Sequence, residues 1–391
     1  MKNSIKPKAC LIYYSIFEHS ALLYREATSL LANGYDVDVI CLKKRKEDKI
    51  NSSYDNLNLF KIQFREKREK NAYLYFYRII TFFLKSFGLI TYLGVKKRYK
   101  VVQVTSPPDF LVFAAIIPKI LGSKIVLDIH DINPEFFMMK LKVSKESLVI
   151  RFIKKIEFLS SFFSDEVFIV TEQWRELLIS RSVSENKCHV LLNVPDQNLF
   201  RPLNKIDKEN NKFNIFYHGS IEEQFGVDTI ILAMEIIRKY IPDVMLNIYG
   251  GGRLLTEYKS LVTQKKLDNV ITFFKSIPFY DLPNALQNAD LGVVPTKDLS
   301  FSENTVSMKS FEYIFCNIPI VISATRAHLY IYKPNMVKFF EPCNYVDLAD
   351  SVIELYKDNK KMEDLLSNYN KFKEQFGWNN IQHDYLYIIN K

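Results

Sequence analysis

Short apolar runs alternate with longer stretches of helical periodicity along almost the whole chain. That is the pattern of parallel strands joined by crossover helices. In the first half, residues 9–14 (ACLIYY), 35–42, 57–62, 100–105, 124–130, 166–171 and 189–193 read as strands. A polar stretch, PDQNLFRPLNKIDKENNK, interrupts the pattern, which resumes at 214–219, 245–250, 270–274, 291–295, 318–322 and 337–340. The expectation is an α/β chain of two Rossmann-like domains: residues 1–195, a linker over 196–212, and residues 213–375, with 376–391 closing the chain. Ligands bind beyond the carboxyl ends of the strands in such sheets, so two units facing each other would hold a cleft.

A chain of 391 residues is long for one core, and a hydrophobic content of 48% with 14% aromatics is ample for two. Charge refines the picture. Residues 41–100 hold 16 Lys and Arg against 5 Asp and Glu, so a segment at +11 lies in a chain of net charge +9. Between the basic runs at 65–70 and 96–100 lies an aromatic and aliphatic stretch, NAYLYFYRIITFFLKSFGLITYLG. Arg78 and Lys85 stand seven residues apart on one helical face, which argues against a spanning helix. The basic aromatic segment 43–100 fits adsorption to an anionic membrane surface; a core helix flanked by solvated lysines is the plainer reading, and the two are compatible. No nucleic-acid motif accompanies the charge, so no nucleic-acid partner is expected. Five scattered cysteines without CxxC spacing argue for a reducing compartment and against zinc. Met1–Lys8 is polar and runs straight into an apolar strand, so no signal peptide is expected. The expected location is cytoplasmic, peripheral on the inner face of the plasma membrane.

The densest candidate chemistry is SENTVSMKSFEYIFCNIPIVIS, residues 302–323. It reads as a polar loop (Asn304, Thr305, Ser307), a helix opening near Ser307, a turn at Asn317, and a buried strand over 320–323. A helix N-terminus presents unpaired backbone N–H groups and suits a phosphate. Lys309 adds positive charge, and Glu312 lies one turn further on the same face. A carboxylate there can accept hydrogen bonds from vicinal hydroxyls such as those of a ribose. The combination points to a nucleotide diphosphate; a plain strand–turn–helix with solvated Lys and Glu is the alternative.

The pattern K-x-x-E-Y-x-x-x-x-x-P-x-V resembles the donor-binding segment of retaining family 4 glycosyltransferases. The resemblance extends over nearly the whole chain: EATSLLANGYDVDVI, LDIHDINPE, TEQWRELL, NVPDQNLFRP, IFYHGSIEEQFGVDTIILAM and FGWNNIQHDYLYII fall in the family's order. It implies the GT-B architecture of two Rossmann-like domains, with the C-terminal helix crossing back to the N-domain. It implies a retaining hexosyl- or N-acetylhexosaminyl-transferase that uses a nucleotide-diphosphate sugar and no metal or other cofactor. The acceptor would be a glycan or lipid-linked glycan, as in polysaccharide assembly. Glu312 matches the second of the family's paired glutamates, implying ribose binding. The first falls at Asn304, with Glu303 one place early, a departure from the pattern. His130, at the end of a predicted strand, corresponds to the histidine that contacts the donor sugar. Its neighbours Asp131 and Glu135 are further candidates or helix caps. Gly219 and Ser220, with Gln224, stand where the family approaches the diphosphate, but the usual cation is missing; Lys309 and Arg253 are the substitutes. Ser276 and Ile277 would border the base, and Glu303, Thr305, Ser307 and Met308 complete the donor set.

Other signals carry less. Asp36-Val37-Asp38 has D-x-D spacing but reads as polarity at a sheet edge. There is neither a Walker loop nor a GxGxxG in the first strand–helix turn. His19 and Glu18 in that turn could meet an acceptor or cap a helix. Two rival functions share the architecture: a nonhydrolysing nucleotide-sugar epimerase, and a non-catalytic glycosyltransferase-like partner protein.

Overall fold

The computed structural model describes residues 6–54, 57–65, 72–202, 212–299 and 301–391. Most of the expected linker and the basic residues 66–70 fall outside that set. The chain divides into two compact units: Met1–Asn193 with Ile381–Lys391, and Val194–Asn380.

The first unit is built on an eight-stranded sheet of order β3-β4-β2-β1-β5-β6-β7-β8. Its strands are β1 (Lys8–Ile16), β2 (Asp36–Lys43), β3 (Asn51–Tyr54), β4 (Leu57–Phe64), β5 (Val101–Ser106), β6 (Lys124–Ile129), β7 (Glu166–Ile169) and β8 (Cys188–Val190). All pairings are parallel except β3 on β4. β3 was not expected: its NSSY sequence lacks the apolar run that marks a buried strand, and the antiparallel hairpin edge tolerates polar residues. β5 and β6 are almost wholly buried, and β1 is buried over Ala9–Ile12, as apolar runs in a sheet covered on both faces require.

The Asp36–Asp38 pair is not edge polarity. β2 lies inside the sheet, between β4 and β1, and Asp38 is 1% exposed. It accepts hydrogen bonds from Lys97 Nζ at 2.6 Å, Asn58 Nδ2 at 3.0 Å and the Tyr99 hydroxyl. A buried carboxylate needs such partners, and this one is structural.

The helix Ala72–Lys97 carries the aromatic stretch. By length and composition it could cross a membrane, its most apolar 18-residue window having a mean hydropathy of 1.4. One face nevertheless buries Ile79, Phe82, Ile90 and Leu93 and packs beside β1, β4 and the 3-10 segment Asp109–Ala115. The terminal helix Trp378–Asn390 returns residues 381–391 to this unit, where Tyr385 donates to Gln103 Oε1 at 2.8 Å.

The second unit has a parallel six-stranded sheet of order β11-β10-β9-β12-β13-β14. The strands are β9 (Phe213–Ser220), β10 (Val244–Gly251), β11 (Ile271–Phe274), β12 (Leu291–Val294), β13 (Ile320–Ser323) and β14 (Lys338–Phe340). One face packs Ile215, Tyr217, Leu246, Ile248 and Val293 against the helices Val227–Tyr240 and Tyr345–Lys357. The order reverses between β9 and β12, and such a switch point is where an open α/β sheet binds ligands.

Candidate active site

The switch point of the second sheet is where residues 302–323 come to rest. The helix Met308–Phe315 follows β12 and is fixed by Tyr313. The Tyr313 ring lies on Gly292 of β12, where a Cβ would come within 2.6 Å of it, and its hydroxyl donates to the Phe216 carbonyl at 2.9 Å. This anchor sets Glu312 beside the end of β9: Glu312 Oε2 is 3.3 Å from His218 Nε2, both residues being buried. Burial holds the His218 imidazole well below its usual range, reinforced by the charge of Lys309. His218 is therefore neutral at pH 7. Its Nε2 has no hydrogen-bond partner among the described residues, leaving a buried polar atom for a ligand to satisfy.

Lys309 lies one turn before Glu312, with its Nζ near the ring faces of Tyr217 (5.3 Å) and Phe225 (4.6 Å). A Cβ on Gly219 would meet that Nζ at 3.1 Å, so the ammonium touches the backbone at the end of β9. Gly219 has φ +121°, a conformation for glycine. Burial pushes Lys309 down to about 8, with Glu312 opposing. It pushes Glu312 up to about 7, with Lys309 opposing. Ser307 is the N-cap residue and its side chain makes no cap hydrogen bond; Ser310 N donates to the Ser307 carbonyl at 3.0 Å, so the open N–H groups at this end are those of Met308 and Lys309. A cation, open N–H groups and a buried carboxylate thus meet within one turn of helix.

The other predicted donor residues sort unevenly. Gly219, Ser307, Met308, Lys309 and Glu312 come together. Asn304 Nδ2 donates to Glu303 Oε1 at 3.2 Å, and Thr305 Oγ1 to the Phe301 carbonyl at 3.2 Å. The Gln224 carbonyl accepts from Lys297 N, and Ser220 is exposed at the strand end. Arg253 is 70% exposed, 3.5 Å from Glu222, and so already has a carboxylate partner. Ser276 is exposed and Ile277 half-buried, just past β11. Sequence reading passed over His218, although its place before Gly219 at a strand's carboxyl end was a usable signal. It also passed over an aromatic row. Tyr249 pairs in register with His218, and Phe274 with Tyr249. The Tyr249 and Phe274 rings stack at 4.4 Å, and Phe274 is 38% exposed.

In the first unit, His130 follows β6. Its Nε2 lies 2.9 Å from Asp128 Oδ2 and its Nδ1 3.4 Å from the Tyr13 hydroxyl, both at hydrogen-bond distance. Burial lowers its proton affinity, but Asp128 and Glu26 outweigh that and leave it raised. Gln103 Nε2 donates to both Glu26 (2.8 Å) and Asp128 (3.2 Å). Burial, then the charge of Asp128, pushes Glu26 up to about 7. Among the described residues, Glu26, Asp128 and His130 are the group whose ligand-type atoms lie within 4.8 Å of one another. His130 is bonded to Asp128, and Gln103 bridges Asp128 and Glu26 Oε2, whereas the buried Glu26 Oε1 has no hydrogen-bond partner among the described residues and lies 3.6 Å from Arg25 Nη2. Asp131 is also raised by burial. Glu135 is bound by both guanidinium nitrogens of Arg181, at 2.6 and 2.8 Å, and is structural. Glu18 pairs with Lys61, and the cap of the following helix is Ser20, not His19.

Two family models divide the chain. Residues 20–197 match glycosyltransferase family 4 and residues 201–372 match glycosyl transferases group 1, and the chain belongs to the family 4-type glycosyltransferases. The D-inositol 3-phosphate glycosyltransferase of Arthrobacter sp. (strain FB24) is 25% identical over 174 residues, 43% of this chain and 40% of that one. The chain matches less than half the length of such curated relatives. Among solved structures, sucrose-phosphate synthase from Thermosynechococcus elongatus matches with a TM-score of 0.78 at 16% identity, over 98% of each chain. Anabaena HepE in complex with UDP and glucose matches at 0.75 and 14% identity, over 98% of this chain and 99% of that one. The GT-B fold expected from the sequence is the fold of these neighbours.

Proposed function

We propose that this glycosyltransferase takes a sugar from a nucleotide-diphosphate donor and transfers it, with retention, to a lipid-linked or surface-polysaccharide acceptor. The observation that carries the donor reading is Lys309 and Glu312 on one turn, packed against Gly219 and His218 at the sheet's switch point. Lys309 and the helix N-terminus supply the positive charge that a departing diphosphate needs. Glu312 and neutral His218 offer an acceptor and a second polar atom to ribose hydroxyls. The bound UDP and glucose of HepE support the donor class. The reading needs no metal, since the charge on the leaving group is met by Lys309 and backbone N–H groups. His130 is assigned to the transfer step rather than to nucleotide affinity. The basic segment and the exposed apolar helix support a cytoplasmic site of action at the inner face of a membrane.

Donor turnover separates this reading from its rivals. Purified protein is incubated with UDP- and GDP-sugars and lipid-linked acceptors, and products are resolved. Transfer supports the proposal, interconversion of the nucleotide sugar without transfer identifies an epimerase, and binding with no turnover across acceptors leaves a non-catalytic relative.

A further inference from the structure

Half of the exposed large apolar side chains among the described residues lie on two helices of the first unit, Ala72–Lys97 and Leu148–Phe163. On the first, Tyr73, Phe76, Tyr77, Ile80 and Leu84 recur at helical spacing and form one stripe, between 47% and 83% exposed. The second helix was not marked by the sequence pattern, and it carries apolar residues on both faces: Ile150 is buried and Ile153, Ile156 and Phe163 are half-buried, yet its outer face is apolar too. Ile150, Glu157, Ser160 and Ser161 face inward, whereas Leu148 (79% exposed), Phe152 (64%), Leu159 (43%) and Phe162 (74%) face outward. Glu157 is held inside by Arg181 and Ser182. A helix that turns serines to the core and phenylalanines outward is built for an apolar environment on its outer side.

The two stripes belong to one side of the first unit. Both helices pack on the segment Asp109–Ala115, Phe83 against Phe110 at 5.9 Å and Phe163 against Phe113 at 5.3 Å. Lys140, just before the second helix, reaches the Tyr75 ring of the first at 5.9 Å. The charges flanking the second helix are one-sided. Over residues 140–163, Lys140, Lys142, Lys145, Arg151, Lys154 and Lys155 stand against one exposed acid, Glu146, since Glu157 is buried; Asp165, just past the helix, is exposed and paired with Lys119. Lys155 lies within the apolar stripe, between Phe152 and Leu159. Basic heads on an apolar face match an anionic lipid surface better than the desolvated, charge-poor core of a protein interface.

We infer that Leu148–Phe163 is a second membrane-docking helix, which seats beside Ala72–Lys97 on an anionic bilayer. This deepens the membrane part of the proposed function and rests on it. The test is co-sedimentation of the full chain with phosphatidylcholine vesicles, with and without phosphatidylglycerol. Wild type is expected to bind the anionic vesicles, less so at high salt. Lys154→Gln with Lys155→Gln should weaken partitioning about fivefold per cation. Phe152→Ser with Phe162→Ser should weaken it further on both vesicle types, with circular dichroism unchanged because both side chains are exposed. Wild-type partitioning by both pairs, with loss on Tyr77→Ser and Leu84→Ser, would overturn the role of Leu148–Phe163 and leave the first helix as the sole contact. Absence of vesicle binding by wild type would overturn both. Self-association by light scattering, abolished by Phe152→Ser with Phe162→Ser and without vesicle binding, would overturn the inference in favour of a second copy as the occupant.

Discussion

Replacing Lys309 by methionine keeps the stem and removes the charge, and the structure fixes opposite signs for its two effects. The ammonium falls from 10.5 to about 8 because it is buried, which corresponds to roughly 3 kcal/mol of disfavoured charge in the folded protein. A lysine with a lowered pKa destabilises the fold fully below about pH 8, and the effect fades as pH rises toward the unfolded value. Lys309→Met should therefore hold or raise Tm at pH 7 and gain little at pH 10. Binding should move the other way. A cation and a phosphate about 4 Å apart attract by about 4 kcal/mol at an effective dielectric of about 20, and hydrogen bonds to charged groups contribute about 1.5–3 kcal/mol. A net loss of about 2–3 kcal/mol weakens UDP or GDP by roughly 30- to 150-fold. Isothermal titration with UDP, GDP and inorganic pyrophosphate reads this directly. Wild-type affinity should also fall as pH rises through about 8, and the variant's should not. A variant that binds within threefold of wild type, or one that loses stability and affinity together, would refute the assignment of Lys309 to the diphosphate.

Three further outcomes follow from the same geometry. Glu312→Gln keeps the shape beside His218 but weakens acceptance from ribose hydroxyls; nucleotide affinity should drop about 10-fold, from the loss of about 1–2 kcal/mol of charge-assisted bonding, while pyrophosphate affinity stays put. Phe274→Leu keeps apolar bulk and removes the exposed ring of the stacked pair. Stacking of about 1–3 kcal/mol per base predicts weaker UDP and GDP binding by titration, again with pyrophosphate unaffected. Gly226→Ala puts a Cβ at 1.8 Å from the Pro295 carbonyl at a φ of +64°; denaturant unfolding should show a loss of more than about 1–2 kcal/mol.

The architecture was legible because a buried parallel strand must be continuously apolar, so runs such as VVQVT and IVIS declared themselves without neighbours. The N-terminus of the Met308–Phe315 helix was legible for a local reason too: its loop, Lys309 and Glu312 lie within one turn of chain. What stayed hidden depended on pairing across strands. His218 matters through Glu312, 94 residues away, and Phe274 through its register with Tyr249. The role of Asp38 needed the partners Lys97 and Tyr99 to be known; spacing alone suggested an exposed edge. Leu148–Phe163 escaped notice because its apolar residues are normal in number, and only their outward direction is unusual. Arg253, expected as a phosphate-side cation, lies exposed beside the Glu222 carboxylate, a pairing that spacing alone does not reveal.

The central claim is a nucleotide-diphosphate-sugar site on the turn that carries Lys309 and Glu312. Thermal shift of the wild type and Glu312→Gln against UDP-, GDP-, ADP- and CDP-sugars tests it most directly. A ligand that binds only the native state stabilises it by about 2.7 kcal/mol at a hundredfold excess over Kd. The account predicts that one nucleotide class raises the wild-type Tm and that the rise shrinks in the variant at equal concentration. Equal shifts in both proteins, or none in either at concentrations well above millimolar, would contradict it.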